Sequence, residues 1–464
     1  MIKNSLAILT IAGSFSLMSA QDISTIRNTV DVYSNNNPTG SAKYQAMAGS
    51  MGALGGDIST LNNNPAGLGV FIASDLQLSL NINSSKNTTQ FNGTSKDFKI
   101  NKTNLSQTGG VMTFQLPENS AWKFVNVGAN YSEQSLEDYS ETGGNNNISF
   151  AIPAATTSLN FDGHAYNRYG TLSNSSIGLG ANYNNNLYFG AALHFKTADI
   201  EQYDTAAFID TALNSTEIFN KQYTPFSERS NGFAASLGVI GKVNKQFRLG
   251  ASLESPTWWQ VTRIYDSYDN PTDGTYTEDR KIASPLKATL SAAFVANKDF
   301  AINVDYTLGI TKPKYTVYGA AETELNNYFE NNYKNLSEVK VGAEYRIMGL
   351  RLRAGYGFTS SPFDSQSVSA YRSDGTAANA SFNNFILGKR TTVAGGIGYD
   401  FGSIYLDAAY QNVQSTYNNP FLQGDNSVNS NYFSNNFVLP SSNYAVSKVE
   451  NNQNNISLTL GYRF

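Results

Sequence analysis

Residues Asn454 to Phe464 alternate without a break. Ile456, Leu458, Leu460, Tyr462 and Phe464 hold one parity, and Asn455, Ser457, Thr459, Gly461 and Arg463 hold the other. Successive side chains of an extended chain point to opposite faces, so this stretch is a strand with one apolar face. With the opposite face small or polar and an aromatic residue at the end, it reads as the closing strand of an outer-membrane β-barrel. That reading constrains the rest of the chain. Lipid cannot satisfy unpaired backbone groups, so a sheet in a membrane must close on itself.

The same rhythm recurs upstream. Leu76–Ile82, Val125–Tyr131, Ile177–Tyr183, Leu187–Phe195, Phe233–Val239, Phe247–Leu253, Leu286–Phe294, Phe300–Leu308, Val339–Tyr345, Leu352–Phe358, Val393–Tyr399 and Ile404–Tyr410 each carry an alternating apolar stripe. With a weaker strand at Val111–Leu116 and the terminal one, the pattern predicts an all-β chain, a transmembrane antiparallel barrel of about 14 strands. Short turns are expected at Pro117–Ser120, Asn184–Asn186, Asn244-Lys245, Asn297-Lys298, Met348-Gly349 and Phe401-Gly402. Long connections, such as 132–171, 198–229, 256–284 and 412–453, are expected to join every odd strand to the next even one. Short turns on the periplasmic rim and long loops outside are the asymmetry of such barrels.

Composition supports this class. Charged residues are 15%, aromatics 12%, and there are 28 Tyr, 27 Phe and 38 Gly. Aromatic belts and tight turns use these residues. Mean hydropathy is −0.34, and no segment offers the run of about 20 apolar residues that a spanning helix needs. Cysteine is absent, so closure of the sheet must hold the fold in place of disulfides. A net charge of −4 gives no support for nucleic-acid binding. Lys3, the apolar run Leu6–Leu17 and Ser19-Ala20-Gln21 read as a secretory signal peptide over residues 1–20.

Residues 21–72 do not fit the strand rhythm. They are rich in small residues from Gly40 to Asp57 and end in the turn signal Asn64-Pro65-Ala66-Gly67. The segment suits a hatch or plug inside the lumen, with the barrel over 73–464. Polar-face charges expected inside the barrel include Glu254, Lys287, Asp305, Lys340, Glu344, Arg351, Arg353, Asp407 and Arg463. A mutually paired structural network is the expectation, because confined charges are costly unless paired. A selectivity filter is the alternative.

Gly40-Ser41-Ala42, Gly49 to Asp57, Ser59 and above all Asn64-Pro65-Ala66-Gly67-Leu68 resemble the FadL/TodX type of outer-membrane transporters for long-chain fatty acids and other hydrophobic compounds. The resemblance extends to the strand count and to Phe464 as the barrel-closing C-terminal residue. It implies an N-terminal hatch containing the Asn-Pro-Ala turn, passive uptake through extracellular loops and a lumen pocket, and lateral release at a kinked third strand. Here that strand is Lys123–Tyr131, and its residues identify no kink. The implied partners are outer-membrane lipid, a hydrophobic small-molecule ligand and, through the C-terminal strand, the outer-membrane assembly machinery. The implied location is the outer membrane of a Gram-negative bacterium.

Two connections are greasy for exposed loops. One carries Phe208, Ile218, Phe219 and Phe226, the next Trp258, Trp259, Ile264 and Tyr265. The resemblance makes them a ligand-capture site. Loops packed on one another, or an aromatic girdle at Trp258 and Trp259, account for the same residues. Haemin uptake or a general porin channel is the alternative function, and a structural or adhesive barrel a further one. Only His164 and His194 are available as haem ligands. No nucleophile has a spacing-defined base, and no metal-ligand spacing occurs. No enzyme, cofactor or metal is therefore expected.

Overall fold

The structure is a computed structural model that describes residues 23–35, 39–152, 157–266, 274–423, 431–434, 437–439 and 441–464. The expected signal peptide lies outside these residues. Fourteen antiparallel strands close into one barrel. They are strand 1 Asp75–Phe91, strand 2 Thr94–Gln115, strand 3 Trp122–Ser135, strand 4 Ser158–Tyr183, strand 5 Leu187–Asp210, strand 6 Phe226–Lys242 and strand 7 Phe247–Glu254. Strand 8 is Lys287–Val295, strand 9 Phe300–Gly309, strand 10 Ser337–Ile347, strand 11 Leu350–Thr359, strand 12 Arg390–Asp400, strand 13 Ile404–Phe421 and strand 14 Ala445–Arg463. Each pairs with its successor, and strand 14 returns to strand 1 with Asp75 opposite Arg463 and Gln90 opposite Lys448. Ser74 and Phe464 exchange backbone hydrogen bonds of 3.1 Å at the seam. Among the described residues no helix is long and apolar enough to cross a membrane.

Alternation decides which face is which. Leu458 is 51% exposed on the outside of strand 14, while Ser457 beside it is 1% exposed on the inside. The same holds for Leu76, Leu78, Leu80 and Ile82 of strand 1. The outer wall is thus an apolar band with Trp122, Phe247, Tyr306, Tyr356, Tyr399 and Tyr462 among its aromatics.

The expected long loops are only partly loops. Strands 1 and 2 run 17 and 22 residues and meet at Asn92-Gly93, both with positive φ. This Asn-Gly turn is a strong two-residue hairpin signal, so the first odd-to-even connection is short. Strands 4 and 5 run 26 and 24 residues. Hairpin partners Asp138–Ala151 and Ser215–Lys221 extend the wall beside them. The connection from strand 7 to strand 8 is the hairpin Trp258–Asp266 with Thr275–Ala283. One helix, Ala320–Asn332, lies between strands 9 and 10.

The hydrophobic stripe changes face along these extensions. In strand 5, Leu187, Phe189, Leu193 and Phe195 are exposed outside, whereas Ala198, Ile200, Ala206 and Phe208 are buried inside. The lower part faces lipid and the upper part faces water. The apolar side therefore moves from the outer to the inner face, where it builds two cores among the extensions.

Candidate functional site

The inner wall is lined by small and polar residues, and the chain's own N-terminal segment packs on it. Polar contacts between that segment and the wall run around the circle. Ser59 Oγ donates to Gln107 of strand 2 (2.6 Å), and Asn126 of strand 3 donates to the Leu68 carbonyl (2.6 Å). Ser176 of strand 4 reaches Asn62 (3.0 Å), Ser252 of strand 7 reaches the Asn63 carbonyl (2.7 Å), and Ser457 of strand 14 reaches Gln45 (2.8 Å). Close approach needs wall positions without side chains. A Cβ on Gly190 would meet the Pro65 carbonyl at 2.2 Å, and one on Gly238 would meet Asn64 Oδ1 at 1.9 Å.

The motif residues that carry the resemblance knit the segment together. Ser41 caps the short helix Ala42–Ala46 through the Tyr44 N–H and donates to Asp57 Oδ2 (2.8 Å). Asp57 caps Ile58–Asn62 through the Ser59 N–H (2.9 Å). Asn64 caps Pro65–Val70 through the Ala66 N–H (3.1 Å) and donates to the carbonyls of Gly52 (2.7 Å) and Val239 (3.3 Å). Pro65 opens that turn, where no N–H is needed. Gly67 fits against Thr60 and Gly55. The residues 64–67 thus form one turn that also fastens to the wall.

The firmest fastening is Asp305 on strand 9. Its carboxylate accepts the N–H groups of Met51 (3.1 Å) and Gly52 (3.1 and 3.2 Å), and the side-chain amides of Asn63 (3.0 Å) and Asn303 (2.6 Å). Three of these donors belong to the segment.

Two cavities lie on opposite sides of this segment. The upper, about 160 Å³, is bounded below by Tyr44, Asn62 and Asn63 and lined by Lys196, Glu254, Lys287, Glu338 and Lys340. The lower, about 380 Å³, lies toward the short-turn rim, bounded by Lys43, Gly56, Asp57 and Val70–Ala73. It holds a charge network. Arg353 bridges Glu344 (2.6 Å) and Asp407 (2.5 Å), and Arg463 and Arg351 share Asp400 (2.8 and 3.1 Å). The expected lumen charges therefore do face inward, and most are paired.

Above the upper cavity, the helix Ile23–Asp31 is buried in an apolar cluster with Trp259, Tyr315, Phe329 and Phe385. Trp259 donates its indole N–H to the Tyr33 carbonyl (3.1 Å). Tyr33 donates to Glu228 (3.0 Å), and burial, with Glu228 alongside, pushes its phenol well up. Arg27 lies between the rings of Tyr166 and Tyr417.

The eight greasy connection residues do not form one surface. Phe208 and Phe219 meet edge to face in the outer core with Phe161 and Tyr432. Phe226 is buried under the Arg263 guanidinium, and Trp259 is 1% exposed in the inner core. Ile218 and Trp258 face outward, Trp258 at 52% exposure. Ile264 is half-buried, and Tyr265 packs against Tyr223 and Tyr276. Both histidines are engaged. His164 Nε2 bonds Asp204 (2.9 Å) with its ring stacked on Phe421, and His194 sits between Ser176 and Ser236, at 2.8 Å each. Strand 3 is paired on both sides from Phe124 to Ser132, with an irregularity only at Trp122–Phe124. No side opening is present there.

No family model matches the sequence, and no curated protein matches it. Solved structures do match its fold. A FadL homologue of Pseudomonas aeruginosa is 13% identical, with 92% of this chain and 99% of that chain covered at a TM-score of 0.60. The toluene transporter TodX of Pseudomonas putida is 15% identical over 94% and 100% of the two chains, with a TM-score of 0.54. The toluene transporter TbuX of Ralstonia pickettii is 14% identical over 92% and 99%, with a TM-score of 0.52. The chain has the FadL-type fold.

Proposed function

We propose that this barrel sits in the outer membrane of a Gram-negative bacterium and admits hydrophobic small molecules passively, with residues 21–72 as its hatch. The observation that carries the reading is a lumen crossed by the chain's own N-terminal segment, in a fold shared with a FadL homologue and two toluene transporters. Its partners are membrane lipid along the apolar band, the ligand, and the assembly machinery that receives the strand ending at Phe464. No chemistry is needed. A greasy molecule gains about 0.8 kcal/mol per CH₂ removed from water, so a path that opens transiently is enough. Movement of the segment between the two cavities opens that path. Release sideways into the membrane then requires strand 3 to part from a neighbour.

The test pairs conductance with uptake. The purified protein in planar bilayers is expected to conduct little, and cells lacking it to lose uptake of a hydrophobic compound but not of small sugars. Porin-sized steady conductance, or sugar uptake that depends on this protein, sinks the proposal.

A further inference from the structure

The space under the N-terminal segment carries more positive charge than it neutralises. Beside the cavity at Arg353 and Asp407, a second one of about 330 Å³ lies on the same side, and Lys43, Gly56, Val70, Glu344 and Arg346 line both. Four cations line the second cavity: Lys43 of the short helix, Arg248 of strand 7, Lys298 of the turn between strands 8 and 9, and Arg346 of strand 10. Its one carboxylate is Glu344, and both oxygens are taken, by Arg346 (2.6 Å) and Arg353 (2.6 Å). Among the described residues no carboxylate lies within 4.0 Å of the Lys43, Arg248 or Lys298 cation. Lys43 donates to the Gly56 carbonyl (2.8 Å) and Arg248 to the Leu54 carbonyl (3.3 Å). Arg248 Nε is buried with no acceptor among the described residues. The chain as a whole is acidic, with a net charge of −4, so the surplus is local. Confined cations without a counter-charge are costly.

We infer that this pair of cavities is a docking site for an acidic peptide segment of a periplasmic partner protein, with Lys43 and Arg248 receiving its carboxylates. This rests on the outer-membrane placement, which sets the short turns in the periplasm. Complementary charge selects such a partner and speeds its approach, and carboxylates on ammonium and guanidinium groups make the stronger kind of hydrogen bond. The two cavities, about 380 and 330 Å³, hold far more than one carboxylate and its waters. Apolar surface continues beside the charges. Leu54, Val295 and Phe300 line the second cavity half-buried, and Ile72 lines the first and is exposed. A free inorganic anion has no use for that surface, whereas a peptide with acidic and apolar side chains matches both. Docking also reaches the segment above. Lys43, Leu54 and Gly56 all belong to residues 21–72. A carboxylate that draws Lys43 and Arg248 away from the two carbonyls therefore loosens the segment from the periplasmic side.

The experiment titrates a fluorescent octapeptide of alternating Glu and Leu into the purified protein in neutral detergent, beside its Gln–Leu and Glu–Ser counterparts, with sulfate and laurate as competitors. The Glu–Leu peptide is expected to bind at least about tenfold tighter than either counterpart. The double variant Lys43→Gln, Arg248→Gln loses that advantage, while Lys43→Arg keeps most of it. Each single Gln variant loses part of it, so the test stands even where the double variant does not fold. Bound peptide is also expected to speed amide exchange at residues 43–56 by about tenfold, and unchanged exchange with the peptide bound overturns the loosening. Equal binding of the Gln–Leu peptide, or an advantage that survives the double variant, overturns the site. Sulfate displacing the peptide at equal concentration assigns the cations to free small anions, laurate doing so assigns them to a free amphiphile, and either overturns the peptide. No Glu–Leu binding below about 1 mM overturns it as well. Uptake of a hydrophobic compound by cells decides the transport reading separately, so docking can fall while that reading stands.

Discussion

Replacing Asp305 by Ala tests whether the N-terminal segment is held as a movable hatch. The carboxylate receives Met51 N–H, Gly52 N–H and the Asn63 amide, all from the segment. A hydrogen bond to a charged acceptor contributes about 1.5–3 kcal/mol. Water in the lumen replaces part of that, so the lower figure applies, and three donors give about 4.5 kcal/mol. At 1.4 kcal/mol per decade, the undocked fraction rises by roughly 10³. Nearby anchors remain, since Ser50 Oγ still donates to the Asn303 carbonyl (3.0 Å) and Ala53 N–H to Asn303 Oδ1 (3.2 Å). Amide hydrogen exchange in detergent reads this local opening directly. Residues 50–64 of Asp305→Ala are expected to exchange on the order of 10²–10³ faster. Amides of strands 9 and 10 keep their protection, because their ladder does not involve the carboxylate. Asp305→Asn keeps one acceptor oxygen and falls between. Exchange at residues 50–64 within about threefold of the native chain, in a barrel that is still folded, would refute the reasoning.

Gly238→Ala places a methyl against Asn64 Oδ1; overpacking costs about 1–3 kcal/mol, and limited proteolysis between residues 40 and 70 is expected to quicken while the strands stay resistant. Met112 and Val127 face each other across strands 2 and 3, and the chain has no cysteine. A Met112→Cys, Val127→Cys disulfide is therefore expected to suppress ligand uptake reversibly with reductant if release is lateral, and unchanged uptake removes the lateral step. Arg353→Met leaves Asp407 buried without its ion pair and Glu344 held by Arg346 alone (2.6 Å), a loss of about 3 kcal/mol. The heat-induced band shift on a detergent gel should then occur at lower temperature, and the triple variant Glu344→Gln, Arg353→Met, Asp407→Asn should recover much of it; a single variant as stable as the native barrel contradicts this.

Strand centres were legible because lipid enforces a simple rule: every outward position in the membrane must be apolar. Leu76–Ile82 and Ile456–Tyr462 obey it on both sides of the closing seam. The turn at Asn64–Gly67 was legible because Asn, Pro and Gly each have a backbone role there. The strand extensions were not read, although a signal was present. Between Lys196 and Ala198 the apolar parity of strand 5 switches from odd to even, which marks where lipid gives way to water. The greasy connection residues divide between two faces for the same reason. Phe208 and Trp259 lie on inward faces of extended hairpins, and Trp258, one residue away, lies on the outward face.

The sequence by itself determined the class of fold, the number and order of strands, the sidedness of the turns and a separate N-terminal segment. All of these follow from local periodicity and backbone preference, which are properties of neighbours in the chain. Only the tertiary structure decided what the segment touches and which charges are satisfied. Asp305 meets Met51 across 254 positions, and Glu254 is held by Lys196, far away in sequence, although Lys287 stands opposite it in the ladder. Closing the sheet turns every inward face toward one narrow space. Partners there are chosen by the circumference of the barrel, and spacing along the chain carries no information about them.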